Sequence, residues 1–101
     1  MKRANMSEWR TVQLFLSSQA AGVFEVEVDT ENREVRCNCP VFKSKQSCKH
    51  SRFVRRKMET NNGHYSIMVP YEVDEELALA ASDTPEKFRE FVLKYAKVEV
   101  L

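Results

Sequence analysis

A chain of 101 residues has room for one compact domain, or for a small metal-bound module with one packed extension. Its 43% hydrophobic and 31% charged content excludes a disordered chain, no apolar run approaches the ~20 residues that span a bilayer, and no apolar stretch follows Lys2 and Arg3 as it would in a signal peptide. The net charge of +1 conceals a segregation: residues 33–58 carry nine basic side chains against one acidic, residues 1–32 three against five, and residues 59–101 four against nine.

Residues 1–8 have no periodicity and are expected to be a flexible N-terminus, in which Met6 is a second candidate start beside Met1. From Trp9 to Leu16, Val12, Leu14 and Leu16 alternate with Thr11, Gln13 and Phe15, which predicts a strand, with Phe15 pointing to burial on both sides or to an aromatic contact. Ser17 to Gly22 reads as a loop of small residues. Phe24 to Val28 alternates apolar and acidic residues strictly, the pattern of a half-buried strand. Asp29 to Asn32 supplies turn residues, and Glu34 to Cys37 reads as the returning strand of a hairpin.

That hairpin delivers the segment with the most chemistry, Cys37 to His50, which holds all three cysteines and one of the two histidines. The pattern is Cys-x-Cys, eight intervening residues, then Cys-x-His. Thiolate sulfurs and an imidazole nitrogen in this number suit tetrahedral zinc, so Cys37, Cys39, Cys48 and His50 are the expected ligands of one structural ion. On an extended segment, residues i and i+2 project to the same side, so Cys37 and Cys39 aim at one point. Pro40 is expected to break the ladder just after them. Within a helix, i and i+2 lie about 200° apart, so Cys48 must precede a helix and His50 must sit in its first turn. Ser47 is the expected cap and Ser51 to Glu59 the helix body, with Phe53 and Val54 packed on the hairpin and Arg52, Arg55 and Arg56 outside.

Asn61-Asn62-Gly63 should close that helix. His64 to Val73 alternates Tyr65, Ile67 and Val69 and predicts another strand, ending near Pro70. Asp74 to Ala81 predicts a short helix with an acidic first turn, and Asp83-Thr84-Pro85-Glu86 is a helix start. Phe88, Phe91, Val92 and Tyr95 then follow the spacing of one buried face. Val98 to Leu101 is expected to add a short edge strand. The fold class expected is α+β: a small antiparallel sheet with a zinc-bound strand-strand-helix finger over residues 9–60, followed over 61–101 by a packed extension of a strand and one or two helices.

With those residues in view, the chain resembles the SWIM-type zinc finger, whose pattern is Cys-x-Cys, a variable spacer, then Cys-x-His. The likeness lies in Cys37, Cys39, Cys48 and His50 and extends to the strand Phe24 to Val28, to Pro40 and Phe42, and to Phe53 and Val54, covering roughly residues 10–58. The resemblance implies a strand-strand-helix finger with structural zinc and a role in binding DNA or proteins. The catalytic domains that often accompany such fingers have no counterpart here.

Four protein ligands close a tetrahedral site to water, so the expectation is a non-enzymatic protein with no small-molecule substrate. His64 reads as a surface residue, and Asp74, Glu75 and Glu76 as dipole partners at a helix start. An odd number of cysteines at this spacing argues against a disulfide framework and for a reducing, cytoplasmic or nuclear compartment. Lys49, Arg52 and Arg56 share one helix face next to Lys43 and Lys45, an electrostatic footprint of phosphate contact. Together with Arg36 and Arg55 they are the expected contacts to DNA or RNA. The alternative is an adaptor whose finger and C-terminal helix dock on another protein.

Overall fold

The computed structural model describes residues 8–16 and 22–101, so the expected flexible N-terminus and the small-residue loop lie almost entirely outside the described residues. The fold is α+β. Strands β1 (Arg10–Leu16), β2 (Val23–Asp29) and β3 (Glu34–Cys37) form an antiparallel meander; α1 (Pro40–Lys45), α2 (Lys49–Glu59), α3 (Glu75–Ala81) and α4 (Pro85–Tyr95) follow, and β4 (Glu99–Val100) closes the order. The sheet order is β3-β2-β1-β4. No helix among the described residues is long and apolar enough to cross a membrane.

The sheet separates two layers. On one face Val12, Phe15, Val26, Val28, Val35 and Cys37 form the core with Val54 and Met58 of α2. Strict alternation would put Val12 and Phe15 on opposite faces. A bulge between Thr11 and Gln13 inserts one residue into β1 and returns both side chains to the same core. On the other face Glu25 pairs in register with Leu14 and reaches Arg89 of α4, whose guanidinium donates to both carboxylate oxygens at 3.1 and 2.7 Å. Helix α4 packs against β1 there, with Phe91 and Val92 buried.

The hydrogen bonds from Arg89, outweighing burial, hold the Glu25 carboxyl below its usual value of 4.5. Because the folded pKa is depressed, the pair stabilises the fold above about pH 4.5 and that contribution is lost as pH falls through the folded value. Half of the Arg89 side chain is in solvent, so screening keeps the effect small. Arg89→Ala should cost less than about 1 kcal/mol in denaturant unfolding at pH 7, and progressively less as pH falls below the usual carboxylate range.

Three expectations need correction. The sheet is mixed, not antiparallel, because β4 runs parallel to β1: Phe15 pairs with Glu99 and Leu16 with Val100. The expected edge strand therefore exists, but its direction follows from how α4 returns the chain alongside β1. The stretch His64 to Val73 forms no strand. Its alternation is real at the level of burial, since Tyr65 and Ile67 pack against the core while His64, Ser66 and Met68 face solvent. No neighbouring strand pairs with its backbone; instead the Tyr65 hydroxyl donates to Gln13 Oε1 at 2.7 Å and Met68 accepts one bond from Lys97 N–H at 2.7 Å. Burial, with Glu99 nearby, pushes the Tyr65 pKa up to about 12. Third, Pro40 does more than end β3: it occupies the first turn of α1, a helix of six residues inside the ligand spacer.

The two C-terminal helix starts form where the local chemistry places them. Asp74 accepts from Glu76 N–H at the start of α3, and Thr84 accepts from Lys87 N–H at the start of α4, with Pro85 next.

Candidate metal centre

Cys37, Cys39, Cys48 and His50 come together as one buried group whose ligand atoms all lie within 4.8 Å of one another. Each is at most 5% exposed. The elements deliver them as the spacing requires. Cys37 ends β3, and Cys39, still extended at φ −78 and ψ 158, is the residue before α1. The spacer Asn38 pins this corner to β2: its N–H donates to Glu25 O at 3.2 Å and its side-chain oxygen accepts from Glu25 N–H at 2.9 Å.

Six of the eight residues to the second pair form α1, which is capped by Gln46 in the left-handed region. Cys48 is then the N-cap of α2 and His50 lies in its first turn. The cap is Cys48 itself, not the expected Ser47. Its sulfur accepts from Ser51 N–H at 3.4 Å, while Ser51 Oγ accepts from Cys48 N–H at 3.0 Å, a reciprocal capping box built on a thiol. Ser51 is 2% exposed, so Ser51→Ala should strand a buried N–H and cost about 1–3 kcal/mol in denaturant unfolding of the metal-loaded protein.

The geometry can be tested against zinc. Bonds of about 2.3 Å to sulfur and about 2.0–2.1 Å to nitrogen in a tetrahedron put S and N about 3.6 Å apart. The Cys37 and Cys48 sulfurs lie 3.7 and 3.9 Å from His50 Nδ1. The His50 ring packs against Phe15 and Phe24, with centroids 4.7 and 5.6 Å away, and its Nε2 is buried without a side-chain or backbone hydrogen-bond partner among the described residues. Burial lowers the His50 pKa, against the Leu101 backbone, and so favours the neutral imidazole that binds metal.

All three cysteines are free thiols. Burial pushes Cys37 well above the ordinary thiol range, and the neighbouring sulfurs add to the rise. Burial acts the same way on Cys48, but hydrogen bonds from the Ser51 backbone and hydroxyl outweigh it and lower the pKa. A bound cation supplies the charge that lets such a crowded set ionise. The donor set and its spacing therefore fit one tetrahedral ion, with these four residues as its ligands.

The basic residues divide. Lys49, Arg52, Arg55 and Arg56 are exposed along α2, and Lys43 and Lys45 are exposed in the last turn of α1. None of these six forms an ion pair among the described residues. Arg36 lies apart from them. On β3 it alternates with Cys37 and so points away from the metal side, where its guanidinium lies 4.1 Å from the Trp9 ring centroid and pairs with Glu27 at 2.6 Å.

Residues that sequence reasoning passed over complete the site. Ser51 and Asn38 fix the two ligand corners, and Phe15 and Phe24 pack against the histidine ring. A serine three residues after Cys48 is the one local signal that pointed to the cap. A scan against protein-family models and searches of curated proteins and of solved structures found no match to this chain.

Proposed function

We propose that this chain is a small, non-enzymatic protein built on a structural zinc finger of the SWIM type, and that it contacts DNA or RNA through the basic side of that finger. The observation that carries the reading is the set of six exposed cations on α1 and α2, Lys43, Lys45, Lys49, Arg52, Arg55 and Arg56, with no carboxylate paired to any of them among the described residues. Acidic residues are plentiful elsewhere in the chain, yet the β2 carboxylates Glu27 and Glu25 are engaged by Arg36 and Arg89. Unneutralised cations held on rigid helices are what a polyanion backbone selects. Four protein ligands around one ion make the metal a scaffold for that surface.

The test is a salt titration of binding to short duplexes and single strands. Affinity should fall steeply and linearly on a log–log scale as salt rises. An absence of binding at low salt sinks the reading.

One observation favours a protein partner as well. Tyr71 is 97% exposed and Leu79 69% exposed, amid the acidic residues Glu72, Asp74, Glu75 and Glu76. Exposed apolar side chains among acidic ones suit a protein partner, a contact separate from the adaptor reading's finger and C-terminal helix, which stays the second reading.

A further inference from the structure

The turn that ends α2 holds a feature that the metal does not use and that the cations of α1 and α2 do not complete by themselves. A cleft of about 400 Å³ opens there between the β2–β3 hairpin and the helix end, lined by Arg33, Arg55, Met58, Glu59, Asn62 and Gly63. Its shape comes from the backbone. Arg33 and Asn62 are both left-handed, with φ of 55° and 56°, and Gly63 follows at 83°. The Gly63 N–H donates to Met58 O at 2.8 Å and ends the helix. A Cβ at Gly63 would lie 3.0 Å from Nε and 3.1 Å from Cζ of Arg33. The guanidinium thus rests against bare glycine backbone, and a larger residue would push it out of place.

Arg33 and Arg55 therefore line one cleft, and neither has a carboxylate partner among the described residues, although Glu59 lines the same cleft. Two guanidinium groups facing shared space repel each other, and an anion between them turns that repulsion into attraction. The planar fork of donors on each arginine matches the oxygens of a phosphate in a way that lysine does not. The geometry points to a phosphate-binding subsite in this cleft, with Arg33 and Arg55 as the donors and Gly63 as the residue that seats Arg33. The subsite deepens the nucleic-acid reading and rests on it for the origin of the phosphate. It would extend the footprint from the exposed face of α2 to the hairpin turn, through a residue outside both helices. A small phosphate-bearing molecule presents the same chemistry.

The test uses the full zinc-loaded chain and inorganic phosphate, followed by NMR of the arginine Nε–H groups and the Gly63 amide. Saturable shifts are expected at Arg33, Arg55 and Gly63, and only weak, non-saturating ones at Arg52 and Arg56. Arg33→Asn retains a residue that tolerates the left-handed backbone, and Arg55→Gln leaves the helix intact. Gly63→Ala keeps both charges but displaces Arg33. Each should weaken phosphate binding about tenfold or more. Shifts that never saturate, or that survive unchanged in all three variants, overturn the subsite.

An oligonucleotide arm separates the sources. If the phosphate belongs to a nucleic acid, Arg33→Asn should make the salt slope shallower by about 0.7–0.9. An unchanged slope beside intact phosphate saturation assigns the subsite to a free phosphate ligand. Phosphate saturation in a protein that binds no oligonucleotide keeps the subsite and removes the nucleic-acid reading.

Discussion

Stripping the metal with a chelator should unfold the finger, and replacing one ligand should do the same. Apparent zinc-binding free energies in finger peptides are about 10–16 kcal/mol, as large as the whole stability of a small domain at about 5–15 kcal/mol. Here the ligands are also core residues: Cys37, Cys39 and Cys48 belong to the same cluster as Phe15, Val26 and Val54. Losing the ion should therefore unpack the sheet instead of fraying one loop. Protein purified without added zinc should contain about one zinc per chain, whereas Cys39→Ser and His50→Ala should contain none and lose their helical circular dichroism signal. Ser47→Ala, outside the ligand set, should keep both. Unchanged metal content and folding in either ligand variant would overturn the assignment.

Acid should act in the same direction. Protons compete with the ion for thiolates and imidazole, so affinity falls as pH falls. The metal-free fold, so far as it persists, weakens too. Burial depresses the His50 pKa below 6.5, with the Leu101 backbone opposing, so folding favours the neutral ring. That contribution is present above about pH 6.5 and is lost as pH falls toward the folded value.

The second large effect concerns the basic face. Converting Arg52 and Arg56 to Glu replaces two cations with two anions on one stripe of α2, on exposed positions where the fold has little at stake. If each contacts one phosphate, the slope of log affinity against log salt should become shallower by about 1.8 on duplex DNA. Affinity at low salt should fall on the order of 100-fold, since repulsion replaces attraction at both positions. Lys87→Glu and Lys94→Glu on α4 change the charge by the same amount on a helix that packs against the other side of the sheet, and should leave binding nearly unchanged. Equal losses from the two pairs would mean that net charge, not this face, attracts the partner. Arg36 should also contribute little, because Glu27 and Trp9 already hold its guanidinium.

Much of the Cys37, Cys39, Cys48 and His50 cluster is legible in the sequence because its constraints are local. A one-residue spacer brings two ligands together on a strand, and only a helix start can bring the second pair together. Both follow from the rise and pitch of the backbone. The starts of α3 and α4 were legible for a similar reason, since a cap is made by side chains within three residues of the N–H groups they satisfy. Arg36 shows the limit of that reasoning. It lies one residue from Cys37 and carries the charge of its segment, yet the strand's alternation turns it to the far side of the sheet, and Glu27 from the neighbouring strand neutralises it.

Sequence alone thus pointed to the Cys37, Cys39, Cys48 and His50 cluster, the strand and helix start that present it, and the basic character of the segment between Arg33 and Met58. Tertiary structure decided the bulge that sends Val12 and Phe15 into one core, and the parallel pairing of β4 with β1. It also decided that Tyr65 and Ile67 alternate without a strand. Gln13 makes the distinction plain. It is 1% exposed in the middle of β1, accepting from the Tyr65 hydroxyl and donating to Lys97 O at 2.7 Å. Besides a local bond to Leu14 O, these two partners are 52 and 84 residues away, so no window of the chain contains them. Features set by backbone geometry over a few residues are written locally; features set by what a distant segment offers to a buried polar group exist only once the chain has closed on itself.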